Sequence, residues 1–324
     1  MKDRYSRQIV YLGEENQEKI SKSRICVVGC GALGSVVASM LSRAGANLII
    51  IDRDFVEKSN LQRAVLFNED DINKPKAIAA KERLKRINSE IDIEILVDDL
   101  DPDNISKIKS DVVIDCTDNI HTRHMINEFC VQNRIPWVYG AVIGTDGMAA
   151  FFTKQPCFRC MLPRKVERGQ LDTCETHGIL SPTVHMIASW QVMQAIKIIT
   201  NKPDCGVLFN FSLENGRFET SRIKEDPDCK VCIKNEYSHL EKIEEVVKLC
   251  GRNAYQIKAE GEIDLEELGS SLKKNPDYDV ISSKNILHIK HKNKRLSLFS
   301  NRRAIIYAES EDEAKNFYNM LLPK

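Results

Sequence analysis

The residues best suited to chemistry lie between Arg24 and Lys76 and in two cysteine pairs further on. Gly29, Gly31 and Gly34 stand in G-x-G-x-x-G spacing within GCGALG. Glycines so spaced allow a tight turn, close approach of backbone N–H groups to a phosphate, and tight helix–strand packing. Asp52 falls where a ribose-binding acid is expected, with Asp54 just after it. SNLQR then supplies Asn60 and Arg63, and NKPK ends on Lys76. A nicotinamide site reads its pyrophosphate with backbone N–H groups and a helix dipole and needs few cations. Arg63 and Lys76 trail the second strand, where they could face a triphosphate chain. Two cations there suit a reaction that builds negative charge on phosphorus and expels pyrophosphate. Taken singly, either one reads as a solvated surface charge; the ordered set does not. Beyond a later strand, TDN (Thr117 to Asn119) places Asp118 to hold Mg²⁺ or a nucleotide hydroxyl, or to cap the next helix.

CFRC (Cys157, Cys160) and CKVC (Cys229, Cys232) form two C-x-x-C knuckles. One such pair can be redox-active; two together are the ligand set of a closed tetrahedral zinc site, which is structural. Between them Arg164 to Gly178 is polar, bears glycine and lacks periodicity, so it reads as a mobile loop. Cys174 on that loop precedes a helix N-terminus, a position that can lower a thiol's pKa. An idle surface thiol is the plain alternative. His177 reads as loop.

These residues need a scaffold, and the periodicity supplies one. RICVVG (Arg24 to Gly29) is a strand apolar enough to be buried on both faces. After the glycine turn Leu33, Val36, Val37, Met40, Leu41 and Ala44 form one helical stripe, stopped by Gly45. Strand NLIII (Asn47 to Ile51), a helix over 77–88, and strands over 91–97 and 111–116 continue the alternation, which predicts a parallel sheet. Strand 135–141 leads into the glycine-rich 144–153, where the sheet should continue antiparallel. Ser181 as N-cap and Pro182 as first residue open a helix to about Thr200, apolar on nearly every side and expected to be buried. Segments 207–213 and 217–223 close a hairpin. The fold class expected is α/β: a Rossmann-like, mostly parallel sheet continued by antiparallel strands, with structural zinc, plus a small C-terminal α+β domain. The domains expected are 1–235 for ATP binding and adenylation with the zinc knuckles, 236–253 as a linker with a helix or an annex to the zinc region, and 254–324 as an α+β module of unknown role. Within that module Asp264 caps one helix, and a Ser310–Glu313 capping box opens another.

RYSRQ, GCGALG, IDRD, SNLQR, KPK, DCTDN, CFRC, a TC loop and CKVC occur in that order from Arg4 to Cys232. In this order they resemble the ubiquitin-activating-enzyme superfamily, in its MoeB/ThiF/HesA-type adenylyltransferase branch. The resemblance implies an enzyme that adenylates the C-terminal glycine carboxylate of a ubiquitin-like sulfur carrier (ThiS/MoaD-like) with ATP and Mg²⁺, releasing pyrophosphate. It implies that Arg7 reaches the nucleotide phosphates, in several members from the neighbouring subunit, and hence a homodimer. Asp52 would serve the ribose, and Asp118 and Asn119 the Mg-ATP. Cys174 matches a loop cysteine that accepts the activated carrier in some members, as a thioester or acyl-disulfide. A nicotinamide- or flavin-linked oxidoreductase shares the glycine turn, but no hydride-handling constellation accompanies it.

Composition agrees with such a protein. Of 324 residues 42% are hydrophobic and 29% charged, with a formal net charge of zero. That balance suggests neither nucleic acid nor an anionic membrane as partner. The polar opening MKDRYSRQ and the absence of a long apolar run make the cytoplasm the expected location. Eleven cysteines fit thiols and metal ligands there rather than a disulfide framework.

Overall fold

After Arg24 the RICVV segment carries no polar side chain, and strand alternation sends Ile25 and Val27 to one side and Cys26 and Val28 to the other. All four are buried, so this strand lies inside a sheet covered on both faces. The computed structural model describes residues 3–162, 177–201, 205–241, 246–249, 254–259, 261–282 and 286–322. They divide into two units, Met1–Lys242 and Ile243–Lys324.

In the first unit the elements run α1 (Ser6–Leu12), α2 (Glu14–Lys22), β1 (Arg24–Val28), α3 (Ala32–Ala44), β2 (Asn47–Ile51), α4 (Lys76–Ile87), β3 (Ile93–Leu96), α5 (Pro102–Ile105), β4 (Val112–Asp115), α6 (Ile120–Asn133), β5 (Trp137–Ile143), β6 (Asp146–Phe152), α7 (Phe158–Met161), α8 (Ser181–Ile199), β7 (Val207–Ser212) and β8 (Arg217–Arg222). The strand order is β3-β2-β1-β4-β5-β6-β7-β8. Strands β1 to β5 pair in parallel; β5-β6, β6-β7 and β7-β8 are antiparallel. Because the chain moves outward from β1 to β3 and returns beyond β1 with β4, the order reverses there. Ligands of such sheets lie past the carboxyl ends of the strands at that reversal.

Several elements depart from the sequence reading. The RYSRQ segment enters a helix, α1, for which no helix was expected, and Tyr5 is a core residue. Its ring lies against Gly45, where a Cβ would come within 2.7 Å of the phenolic oxygen, and that oxygen accepts from Asn88 Nδ2 at 2.8 Å. Gly45, at φ +96°, also ends α3 in the left-handed conformation expected of a C-cap. Leu180, not Ser181, occupies the N-cap of α8, and its side chain supplies no cap hydrogen bond. Nor is α8 buried all round: Met186, Ser189 and Met193 form an exposed stripe, Met193 at 46%. Apolar composition hid that stripe because methionine is tolerated at a surface.

The second unit holds β9 (Val246–Leu249), β10 (Ala254–Ile257), α9 (Leu265–Leu272), β11 (Tyr278–Ser282), β12 (Ile286–His291), β13 (Lys294–Phe299), β14 (Ala304–Tyr307) and α10 (Glu311–Leu321). Its sheet order is β11-β12-β13-β14-β10-β9, antiparallel throughout. Thus the stretch expected to be a linker with a helix, or an annex to the zinc region, contains a strand, β9, paired to β10. Asp264 caps α9 by accepting from Glu266 and Glu267 N–H groups. Ser310 accepts from Glu313 N–H, while the Glu313 carboxylate reaches back to Glu309 N–H instead of closing the box on Ser310. Leu287, Leu296, Leu298, Ile306, Phe317 and Leu321 are among the core of this unit.

Candidate functional site

Each glycine of the turn after β1 does a different task. Gly29, at φ +87°, donates to Ile51 O at 2.8 Å, tying the turn to the end of β2. A Cβ on it would lie 2.8 Å from Cys116 O. A Cβ on Gly34 would sit 1.9 Å from Gly29 O, so α3 can approach the turn only because that position is bare. Gly31, the N-cap of α3, faces open space with nothing within 4 Å of its Cβ position. That is the room an anion needs at a helix N-terminus. The contrast predicts two phenotypes. Gly34→Ala should lower stability by about 3 kcal/mol or more, as overpacking against backbone does. Gly31→Ala should fold normally and bind ATP weakly. Thermal melting beside nucleotide titration checks both; equal melting temperatures for the two variants would refute the distinction.

Asp52 directly follows β2 and is only 8% exposed. Its carboxylate accepts from Cys30 N–H at 2.6 Å and from Asp54 N–H at 2.7 Å. Burial pushes its pKa up, and the nearby Lys76 ammonium pulls it back. Lys76 opens α4 and is 5% exposed, so the surface-charge reading of this residue does not hold. Its Nζ lies 3.3 Å from Asp54 Oδ2, and its N–H donates to Asp54 O at 2.9 Å. The structure therefore joins the glycine turn, both acids and one of the two cations.

The remaining candidates stand less close. Asn60 is buried and its Oδ1 accepts from Glu57 N–H at 3.1 Å, locking its own turn. Arg63, half-buried, donates to Ser59 O at 2.7 Å. Asn119, not Asp118, caps α6, by accepting from His121 N–H at 2.9 Å. That leaves Asp118 exposed past β4, in electrostatic range of Arg53 and Arg123. Arg7 is exposed on α1, and its guanidinium makes no hydrogen bond or ion pair among the described residues. Cys174 lies outside the described residues.

A buried network missed in the sequence holds the loop that carries Asp118. Asp115, the last residue of β4, is fully buried; its Oδ1 accepts from Thr117 N–H at 2.9 Å and from Thr117 Oγ1 at 2.6 Å. Arg123 on α6 donates to Asp115 Oδ2 at 3.1 Å, to Thr117 O at 2.5 Å and to Gly140 O at 3.3 Å, with its guanidinium 5.0 Å from the Tyr139 ring centroid. Burial pushes the Asp115 carboxyl up and Arg123 opposes it. From α8, Gln191 donates to Asp115 O at 2.7 Å and fills the space a Cβ on Gly140 would need. DCTDN contained Asp115 and Thr117, but nothing local marked Arg123 or Gln191 as their partners.

The two knuckles meet. The sulfurs of Cys157, Cys160, Cys229 and Cys232, all buried, lie within 4.8 Å of one another. Cys157 to Cys229 is 3.7 Å and Cys160 to Cys232 is 3.5 Å. These are far from a disulfide bond of about 2.05 Å. They match the edges, about 3.8 Å, of a tetrahedron of thiolates around zinc. Sharing a hydrogen bond lowers the pKa of the Cys160 thiol and raises that of Cys157. Val131 and Val231 help close the site with apolar surface. Just beyond it, His239 donates its backbone N–H to Glu128 Oε2 at 2.7 Å, and its Nδ1 lies 2.6 Å from Oε1, fastening the following segment to α6.

Known proteins resemble this chain. A sulfur carrier protein ThiS adenylyltransferase of Bacillus subtilis is 36% identical over 338 aligned positions, covering 98% of this chain and 99% of that protein. A molybdopterin-synthase adenylyltransferase of Escherichia coli is 36% identical over 239 positions, covering 71% of this chain and 95% of its own length. In crystals, E. coli MccB bound to MccA-N7isoASN has the same fold, with a TM-score of 0.63 at 23% identity over 72% of this chain and 75% of that one. The model of the ThiF family matches residues 5–231. Because the glycine turn, Asp52, Lys76 and Asp118 all fall inside that stretch, and the relatives align along most of their lengths, this chain belongs to the ThiF family.

Proposed function

We infer that the protein is an adenylyltransferase that activates the C-terminal glycine carboxylate of a ubiquitin-like sulfur carrier of the ThiS/MoaD kind. ATP is the second substrate and pyrophosphate leaves. The names of the Bacillus subtilis and E. coli relatives support the reaction. The observation that carries it to this chain is buried Lys76, paired with half-buried Asp54 beside the glycine turn, a fixed cation where a redox coenzyme needs few.

A carboxylate attacks the α-phosphate without a general base, so the protein's work is positioning and charge neutralisation. The open side of Gly31 admits the phosphate chain, Asp52 holds the ribose, and Lys76 and Arg63 neutralise phosphate oxygens. Asn60 shapes the turn that presents Arg63. Asp118 and Asn119 would hold Mg²⁺, which when bound adds positive charge to the phosphates. Arg7 would act across a homodimer, whose contact the exposed Val10 and Tyr11 beside it on α1 suit. The four-cysteine site would hold a structural zinc, since no ligand position stays open. No helix among the described residues is long and apolar enough to cross a membrane; the cytoplasm is the proposed location.

ATP–pyrophosphate exchange tests the reading. Exchange is expected with a ThiS- or MoaD-type carrier ending in glycine and not with the same carrier lacking that residue. Exchange that ignores the carrier, or none with either type, would overturn it.

A further inference from the structure

Gln191 lies in the middle of α8, fully buried, one helical turn from buried Ile187, Ala188 and Ala195. A primary amide there has lost its water, which costs free energy unless hydrogen bonds replace it. Its Nε2 donates to Asp115 O at 2.7 Å, and its Oε1 accepts from Cys116 Sγ at 3.9 Å. Asp115 closes β4, and Cys116 opens the short path to Asp118.

The amide gains its place because β5 is bare at Gly140. A Cβ there would lie 2.4 Å from Gln191 Nε2. Glycine weakens a strand interior and often marks such a close approach. Yet the amide is the far end of a flexible side chain and could swing clear of a Cβ, so folding by itself does not demand glycine at this position. What would be given up is the bond to Asp115 O. Gly140 and Gln191 are thus a matched pair that fixes the end of β4 from the α8 side. The bonds among Asp115, Thr117 and Arg123 instead brace the loop from within itself.

We propose that Gln191 is a positioning residue for the adenylation step, setting through Asp115 O where Asp118 meets Mg-ATP. The proposal rests on the adenylation reading above and deepens it. Carrier-dependent ATP–pyrophosphate exchange, and equilibrium binding of ATP with and without Mg²⁺, are compared for the unmodified full chain, Gln191→Leu and Gly140→Ala. A misplacement of about 1 Å can slow a reaction about 100-fold, and a loss of about that size in kcat is expected for both variants. Mg²⁺ should strengthen their ATP binding less than it does in the unmodified protein, while affinity without Mg²⁺ stays the same. Gly140→Ala keeps Gln191 and displaces only its amide, and combining the two substitutions should be no worse than either alone. Should Gln191→Leu fail to fold, Gln191→Glu takes its place. Only its protonated carboxyl can donate to Asp115 O, so its rate relative to the unmodified protein should rise as pH falls. Unchanged kcat, fully additive losses, or ATP affinity lost equally with and without Mg²⁺ would overturn the assignment while leaving adenylation intact. If the unmodified protein showed no exchange with either type of carrier, the adenylation reading itself would fall, and this inference with it.

Discussion

Serine in place of Cys157 or Cys229 is expected to yield protein that is insoluble or folds without metal. The reason lies in how little else holds this region. Cys157 caps α7, a single turn of four residues, and Cys160 lies within that turn. Cys229 and Cys232 sit on a turn with no regular element of its own. Apolar contacts there are few, Val131 and Val231 being the buried aliphatic residues beside the sulfurs. Bringing four sulfurs together without a metal would leave that small core to oppose loop-closure entropy by itself. A bound structural zinc can supply on the order of 10 kcal/mol, enough to decide folding for a protein of ordinary stability. Elemental analysis of purified protein should give one zinc per chain for the unmodified protein and none for either variant. Metal-free protein with an unchanged melting temperature would sink the assignment.

Lys76→Ala and Arg63→Ala should each slow carrier-dependent ATP–pyrophosphate exchange by about 100- to 1000-fold, the range seen when one donor to a developing charge is removed. Their structural consequences should differ. Arg63 donates to Ser59 O within its own turn, so losing it should leave the melting temperature nearly unchanged. Lys76 is buried and faces Asp54, with Asp52 close by. Removing it takes a cation away from half-buried Asp54 and buried Asp52, which should cost about 1–3 kcal/mol. Asp52, already pushed up by burial, would lose the ammonium that pulls it back down. So Lys76→Ala should be slow and unstable, Arg63→Ala slow and stable. Undiminished exchange in both variants would remove these residues from the chemistry.

The glycine turn, the buried strands of the parallel sheet and the pairing of cysteines into two knuckles were legible from residue type and spacing. Each depends on short-range geometry: a bare Cα where backbone approaches backbone, alternation along one strand, two thiols three residues apart. What paired with what was not legible. Tyr5 on Gly45, Lys76 on Asp54, and Arg123 and Gln191 around Asp115 join residues distant in the chain. So does the β9–β10 pairing decide the state of a segment, Val246–Leu249, whose composition also suits a helix. Composition alone likewise could not separate Asn119 from Asp118 as the cap of α6, since either side chain serves. Local sequence thus determined which chemistry the chain could carry and which strands would be buried. Only the folded sheet, by setting strand order and so which chain ends meet, decided which charges left water and which partners they found there.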